Sequence, residues 1–193
     1  MSQKMWMVGI AAICVLAFSF PMQSSAHAKT HTVKEGESIY SIAEQLGLSA
    51  DQVQAMNNKS NGEVFPGEEL KLPVVPTDGE QDLLNRLVEA EAKGESYAGK
   101  VAVATVVLNR VESDRFPDSI HGVIHDGYQF SPVLNGSINE PAGQESKDAV
   151  EEALDYQGYD QDSIFFYNPD KADSSYLSSQ EVTTVIGNHV FLR

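Results

Sequence analysis

Of the 28 acidic side chains in the chain, Glu91 is the one whose position suggests chemistry. Apolar periodicity predicts a helix from about Glu80 to Lys93, ended by Gly94. With Leu83 set at zero and about 100° per residue, Leu87, Leu84 and Val88 fall at roughly 40°, 100° and 140°, forming one apolar stripe. Glu91 falls at about 80°, inside that stripe, whereas Asp82, Asn85, Arg86, Glu89 and Lys93 fall at roughly 200–300°, on the side expected to face solvent. A carboxylate on a buried stripe is costly unless it is paired or protonated. Desolvation raises its pKa, and the negative end of the helix dipole acts in the same direction. A carboxylic acid that keeps its proton near neutral pH is what general acid catalysis requires. The same position also suits a glutamate that reaches out of the core or pairs with Arg110 or Arg115.

Other chemistries find little support. His121, His125 and His189 lack the spacing of a zinc site. No glycine-rich phosphate loop is present, and no serine sits in a nucleophile-elbow motif. The single cysteine, Cys14, lies in an N-terminal apolar run. Residues 29–193 therefore offer no thiolate nucleophile, disulfide or cysteine-bound metal. No metal or cofactor is expected.

The elements that must position Glu91 are legible in outline. Residues 97–111 are almost wholly apolar; their length and the capping candidate Ser96 favour a buried helix over a strand. Asp118 is a candidate cap for a short helix ending near Ile124. Residues 126–143, rich in glycine and proline, read as a long irregular segment of the kind that often carries function. An amphipathic helix is predicted over 144–156, and strands over 164–167 and 182–192, the second interrupted by Gly187 and Asn188. Upstream, residues 30–73 read as strand, helix, helix, strand. Ser38 caps the first helix, Ile39, Ile42, Ala43 and Leu46 face inward, and Gly47 closes it. Residues 74–79, with Pro76 and Gly79, read as a short stiff linker.

Composition bounds the partners. Residues 29–73 carry a net charge of -3 and residues 74–193 a net of -13. Both halves are repelled by nucleic acid, anionic membranes and anionic wall polymers, so affinity for a wall must come from neutral sugars. At the N-terminus Lys4 precedes an apolar run over residues 6–20, and Ala26-His27-Ala28 fits a signal-peptidase site. Residues 1–28 are expected to be a signal peptide, an uncleaved anchor being the alternative. The mature protein is then secreted, off the membrane and monomeric.

The segment THTVKEGESIYSIAEQLGLSADQVQAMNN, continued by VFPGEELKLP, resembles the LysM module almost from end to end. That resemblance implies a βααβ unit over 29–73 that binds N-acetylglucosamine-containing chains in a shallow groove. The matching groove positions are Gly36, Glu37, Ser38 and Ile39 in the first loop, and Phe65, Pro66 and Gly67 in the second. Turn geometry accounts equally for most of them, and core packing accounts better for Ile39.

The stretch EAEAKGESYAGKVAVATVVLNRV, followed by RFPDSIHGVI, YQFSPV, FFYNP and IGNHVF, resembles the SleB/CwlJ-type cell wall hydrolases, which include spore cortex-lytic enzymes. The resemblance covers about 80–193. It implies an α+β domain, lysozyme-like and similar to lytic transglycosylases, acting on peptidoglycan glycan strands at the cell wall or spore. The family's catalytic glutamate corresponds to Glu91, with Glu95 as runner-up. The expected reaction cleaves between N-acetylmuramic acid and N-acetylglucosamine to give 1,6-anhydromuramic ends. A hydrolytic route would need a second carboxylate, for which Glu95, Asp126, Glu140 and Glu145 are candidates. Gln129, Phe130, Ser131, Tyr167 and Asn168 are candidate sugar contacts, although Phe130 and Tyr167 also suit the core and Asn168 a turn. The alternative function is a noncatalytic, peptidoglycan-binding structural protein.

Overall fold

The computed structural model describes residues 29–193 apart from positions 161 and 172, so the expected signal peptide lies outside the described residues. The first unit begins with strand β1 (Lys29–Thr32), which pairs antiparallel with β2 (Glu69–Leu72). Helices α1 (Ile39–Leu46) and α2 (Ala50–Met56) lie between them in sequence. Ser38 and Ser41 form a reciprocal capping box at the start of α1, and Gly47 ends that helix in the left-handed conformation. Val33, Ile39, Ile42, Ala43, Val53, Leu70 and Leu72 form the core. Leu46, predicted to face inward, is exposed: the unit is too small to cover both flanks of a two-turn helix.

Residues 74–79 do not behave as a spacer. Val74 is buried, and both its backbone groups are bonded to the side-chain amide of Gln157, N–H to Oε1 at 2.7 Å and C=O from Nε2 at 3.0 Å. A second tie runs from Gln52 Nε2 of α2 to the carbonyls of Leu154 and Asp155. Helix α3 (Asp78–Glu91) begins within the expected linker, because Thr77 and Glu80 form its capping box.

The larger unit is built around α4 (Tyr97–Glu112), capped by Ser96. Its β-branched residues form a helix because tertiary burial outweighs their modest helix propensity. Helix α7 (Gln144–Asp155) packs along α4 and against α3. Short helix α5 (Ile120–Ile124) is capped by Ser119, one residue beyond the expected Asp118. The segment expected to be irregular contains α6 (Ser131–Asn135) and a 3-10 turn at Ser137–Asn139. Strands β3 (Phe165–Tyr167), β4 (Val182–Ile186) and β5 (His189–Leu192) form an antiparallel sheet with β5 in the middle.

The supposed solvent face of α3 is partly covered. Asn85 is buried, and Glu89 accepts hydrogen bonds from Ser146 Oγ at 2.7 Å and the Gly143 N–H at 3.2 Å. These bonds hold the Glu89 carboxyl below its ordinary pKa, the Ser146 bond foremost. The helical wheel missed this because α7 and the 3-10 turn pack on that side of α3.

At the junction of the units Glu112 ends α4 beside Lys71 of β2. Burial pushes its carboxyl up to about 7, against the attraction of Lys71. For an acid with a raised folded-state pKa, the favourable contribution is present below the unfolded value and is lost as pH rises through about 7. Replacing Glu112 with Gln is therefore expected to raise the melting temperature at pH 8 by several degrees, for ~1–3 kcal/mol, and to change it little at pH 4. Thermal unfolding of the two proteins at both pH values checks this.

Candidate active site

A cleft of about 450 Å³ opens where α3 ends. Glu91 and Ala90 contribute from α3, Arg110 from α4, Tyr128 to Ser131 and Leu134 from the segment entering α6, and Phe166, Tyr167, Asn168, Lys171 and His189 from the sheet side. All five candidate sugar contacts thus meet Glu91 in one depression, although up to 77 residues of chain separate them from it.

Glu91 is half-buried, and its carboxyl is raised above the ordinary value. Desolvation is the main cause; a hydrogen bond from the Ser131 N–H and the charge of Arg110 act the other way. Ser131 begins α6, so its N–H is one of the amide donors that a helix start leaves without an intrahelical partner. The sequence offers Arg110 and Arg115 as ion-pair partners for Glu91, but among the described residues no ion pair within 4.0 Å joins either to it. Burial thus favours the protonated carboxyl, while the Ser131 amide and Arg110 favour its anion.

Glu91 is the only carboxylate among the described residues lining the cleft. Glu95 is turned to the β4–β5 turn, where Asn188 N–H and Nδ2 donate to it at 3.4 Å. Gly187 has a φ of +58°, in the left-handed region that favours glycine, and a Cβ there would displace Glu95 Oε2, 2.8 Å away. Glu145 pairs with Lys100, and Glu140 is exposed after the 3-10 turn. Asp126 acts on Arg110 through its charge.

The candidate sugar contacts differ in what they can offer. Gln129 is exposed, and Ser131 and Tyr167 line the wall. Phe130 is only 2 % exposed and its ring lies 5.1 Å from the Arg110 guanidinium, so most of it belongs to the core. The Asn168 side chain accepts from the Asp170 N–H at 2.9 Å, the turn-building role expected of asparagine before proline. Tyr128, Arg110 and His189 are among the cleft residues that the sequence does not mark as contacts. Tyr128 is 87 % exposed and follows Gly127, the kind of projecting aromatic that suits a sugar face. Arg110 was considered only as an ion-pair partner, and His189 only as a metal ligand. The His189 ring packs edge-on against Phe166 and Phe191. Burial lowers its pKa against the attraction of Glu95, which favours the neutral ring.

In the first unit the two predicted groove loops lie side by side, joined by the Gly67 N–H to Val33 C=O bond at 2.8 Å. Gly36, Ser38, Phe65, Pro66 and Gly67 are exposed, Phe65 strongly so. Glu37 accepts from the Lys34 N–H and bonds the His31 ring, so its carboxylate shapes the loop and is held below its ordinary pKa, by the His31 bond first. Ile39 corrects the expectation of a contact: it is 0 % exposed, and as the first residue of α1 it packs into the core.

Comparison with known proteins agrees with this architecture. Residues 31–73 match the LysM domain and residues 94–192, half of the chain, match the family described as Cell Wall Hydrolase. That second match begins three residues beyond Glu91. The spore cortex-lytic enzyme of Halalkalibacterium halodurans is 37% identical over 120 residues, 62% of this chain and 36% of that protein. Its Bacillus subtilis counterpart is 36% identical over 109 residues, 56% of this chain and 36% of that protein. The chain thus spans little more than a third of these curated relatives. Among solved structures, the catalytic domain of the germination-specific lytic transglycosylase SleB from Bacillus anthracis superposes with a TM-score of 0.58 at 32% identity, covering 63% of this chain and 100% of that one. The SleB catalytic domain of Bacillus cereus gives 0.57 at 33%, covering 61% and 91%. A LysM unit followed by a SleB-like α+β fold, with a single half-buried carboxyl in its cleft, is what the sequence motifs and the geometry share: the chain belongs to the cell wall hydrolase family.

Proposed function

We propose that this chain is a lytic transglycosylase that cuts peptidoglycan between N-acetylmuramic acid and N-acetylglucosamine, with Glu91 as its one acid and base. The observation that carries the reading is the absence, among the described residues lining the cleft, of any carboxylate besides Glu91. Hydrolytic glycosidases set a second carboxylate across the sugar at about 5–5.5 Å or about 6.5–9.5 Å to supply a nucleophile or activate water. A transglycosylase needs one. Glu91 gives its proton to the glycosidic oxygen while the bond to muramic C1 breaks, releasing the N-acetylglucosamine side as a free hydroxyl. The Glu91 carboxylate then takes the proton of the muramic C6 hydroxyl as that oxygen bonds to C1. The products are a 1,6-anhydro end and a regenerated acid, with no water consumed.

The cleft suits the substrate. Tyr128 and Tyr167 offer ring faces, and Gln129 and Ser131 offer groups that can bond acetamides. Gly36, Glu37, Ser38, Phe65, Pro66 and Gly67 are the proposed holding surface of the LysM unit, through exposed backbone and the Phe65 ring. The first unit keeps the limits 29–73 proposed from the sequence, residues 74–77 form a clamped connection, and the second unit starts with α3 at Asp78. Export fits the same reading, with residues 1–28 as signal peptide and the mature chain acting at the wall or spore as a monomer. The relatives named spore cortex-lytic enzymes, together with the structure neighbour described as germination-specific, support spore cortex as the substrate. No helix among the described residues is long and apolar enough to cross a membrane.

Replacing Glu91 with Gln is expected to lower glycan cleavage by about 10²–10⁴-fold while leaving co-sedimentation with purified walls unchanged. Mass spectrometry of the wild-type digest should find anhydromuramic ends; reducing muramic ends alone would establish hydrolysis instead. Wild-type protein that binds walls and releases no fragment would make it a structural wall binder.

Activity should also fall as pH rises through the raised pKa of Glu91, because the first step uses the protonated form. A pH–rate profile on soluble glycan strands checks the sign: a single loss toward alkaline pH is expected, and a loss only toward acid would remove Glu91 as the donor.

A further inference from the structure

Arg110 is an unusual residue in the wall of the cleft. It lies on the central helix α4 and is 4 % exposed. Its Nε donates to the Ile164 carbonyl at 2.7 Å, and its guanidinium carbon sits 4.9 Å, 5.1 Å and 5.7 Å from the ring centres of Phe116, Phe130 and Phe165. Its Nη1 has no hydrogen-bond partner, and Arg110 forms no salt bridge among the described residues. A buried cation without a carboxylate at contact distance is costly, and the Nε bond to Ile164 accounts for one donor but not for the charge or the unbonded Nη1. Burial brings its pKa down to about 10, so it remains charged wherever the enzyme would work.

Resting on the reading of Glu91 as acid and base, we infer that Arg110 is a positioning residue that acts through Glu91, a fixed counter-charge for its proton cycle. During the reaction Glu91 alternates between a neutral acid and an anion in a desolvated wall, and the anion is the form that burial opposes. Arg110 supplies a positive charge that is already oriented, so no solvent has to reorganise when the proton leaves. The aromatic faces hold the guanidinium by cation–π attraction without neutralising it. A carboxylate in direct contact would have cancelled its field.

The other charged and titratable groups around the cleft are few. Asp126, before the α6 segment, offsets Arg110. Lys171 follows β3, His189 begins β5, and Tyr128 and Tyr167 carry phenols. Glu95 acts on His189, and Glu89 is turned toward α7. Asp126 offsets the charge of Arg110, so removing it should strengthen the field that Arg110 sets at Glu91.

The test is the pH dependence of kcat on soluble glycan strands for the full chain and for R110Q, R110K and D126N. R110Q should move the alkaline limb up by about one pH unit and lower kcat about tenfold or more, with KM within about twofold. R110K, which keeps the charge, should return the limb toward its wild-type position. D126N should move it the opposite way, to lower pH. A merely structural role predicts lost activity without displaced limbs of opposite sign. Circular dichroism and wall co-sedimentation verify folding; should R110Q fail to fold, R110K and D126N still decide. A limb unmoved in folded R110Q, an R110K limb as far displaced as that of R110Q, or a D126N limb that rises or stays would overturn the inference. E91Q separates the two claims. If it remains active, the functional reading fails; if it is inactive while the limbs stay in place, only the role of Arg110 fails.

Discussion

Burying the Glu91 carboxyl opposes its ionisation, and the rest of the cleft answers to that conflict. The group ends α3 where apolar residues continue the stripe that packs the helix to the core. Full burial without support would leave an acid too weak to give up its proton; full exposure would leave one too strong to hold it at neutral pH. The Ser131 amide and the charge of Arg110 pull against desolvation, which remains the larger effect and holds the carboxyl above its ordinary value. Both supports come from other elements. α6 must begin where it does to present an unbonded amide, and α4 must run through the middle of the unit to bring a guanidinium alongside.

Helix α4 is consequently more than packing. Its C-terminal half carries two adjacent buried polar residues that dock it to the start of the sheet. Asn109 donates to the Ser163 carbonyl at 2.9 Å and Arg110 to the Ile164 carbonyl at 2.7 Å. These bonds satisfy carbonyls that precede β3, set the sheet against the helix, and thereby place Tyr167, Asn168 and His189 across from Glu91. The same contacts hold the arginine for fold and for chemistry, so one residue serves both.

The LysM unit adds a different kind of specificity. The chain is strongly acidic, and charge cannot draw it to an anionic wall. Exposed backbone at Gly36 and Gly67 and the Phe65 ring suit neutral acetamido sugars instead. The two units are joined by hydrogen bonds at Val74–Gln157 and at Gln52, so the proposed holding surface and the cleft are set in one arrangement rather than strung on a loose tether.

Sequence alone determined the order of the longer helices and the strands, though not α6, together with the βααβ unit, the buried α4, and the place of Glu91 on an apolar stripe. Each follows from local periodicity and capping, which depend on residues within a turn or two. The loop motifs also marked Gln129, Ser131 and Tyr167 before any geometry was known. Only the tertiary structure decided that Glu89 is engaged while Glu91 opens to a cleft, because the covering of α3 depends on where α7 lies. It likewise turned Glu95 to the β4–β5 turn, buried Ile39, bound the supposed linker, and set Arg110 and Tyr128 beside the acid. Those outcomes arise from contacts between segments tens of residues apart, and no pattern confined to one helix or loop carries information about which distant neighbour will cover it.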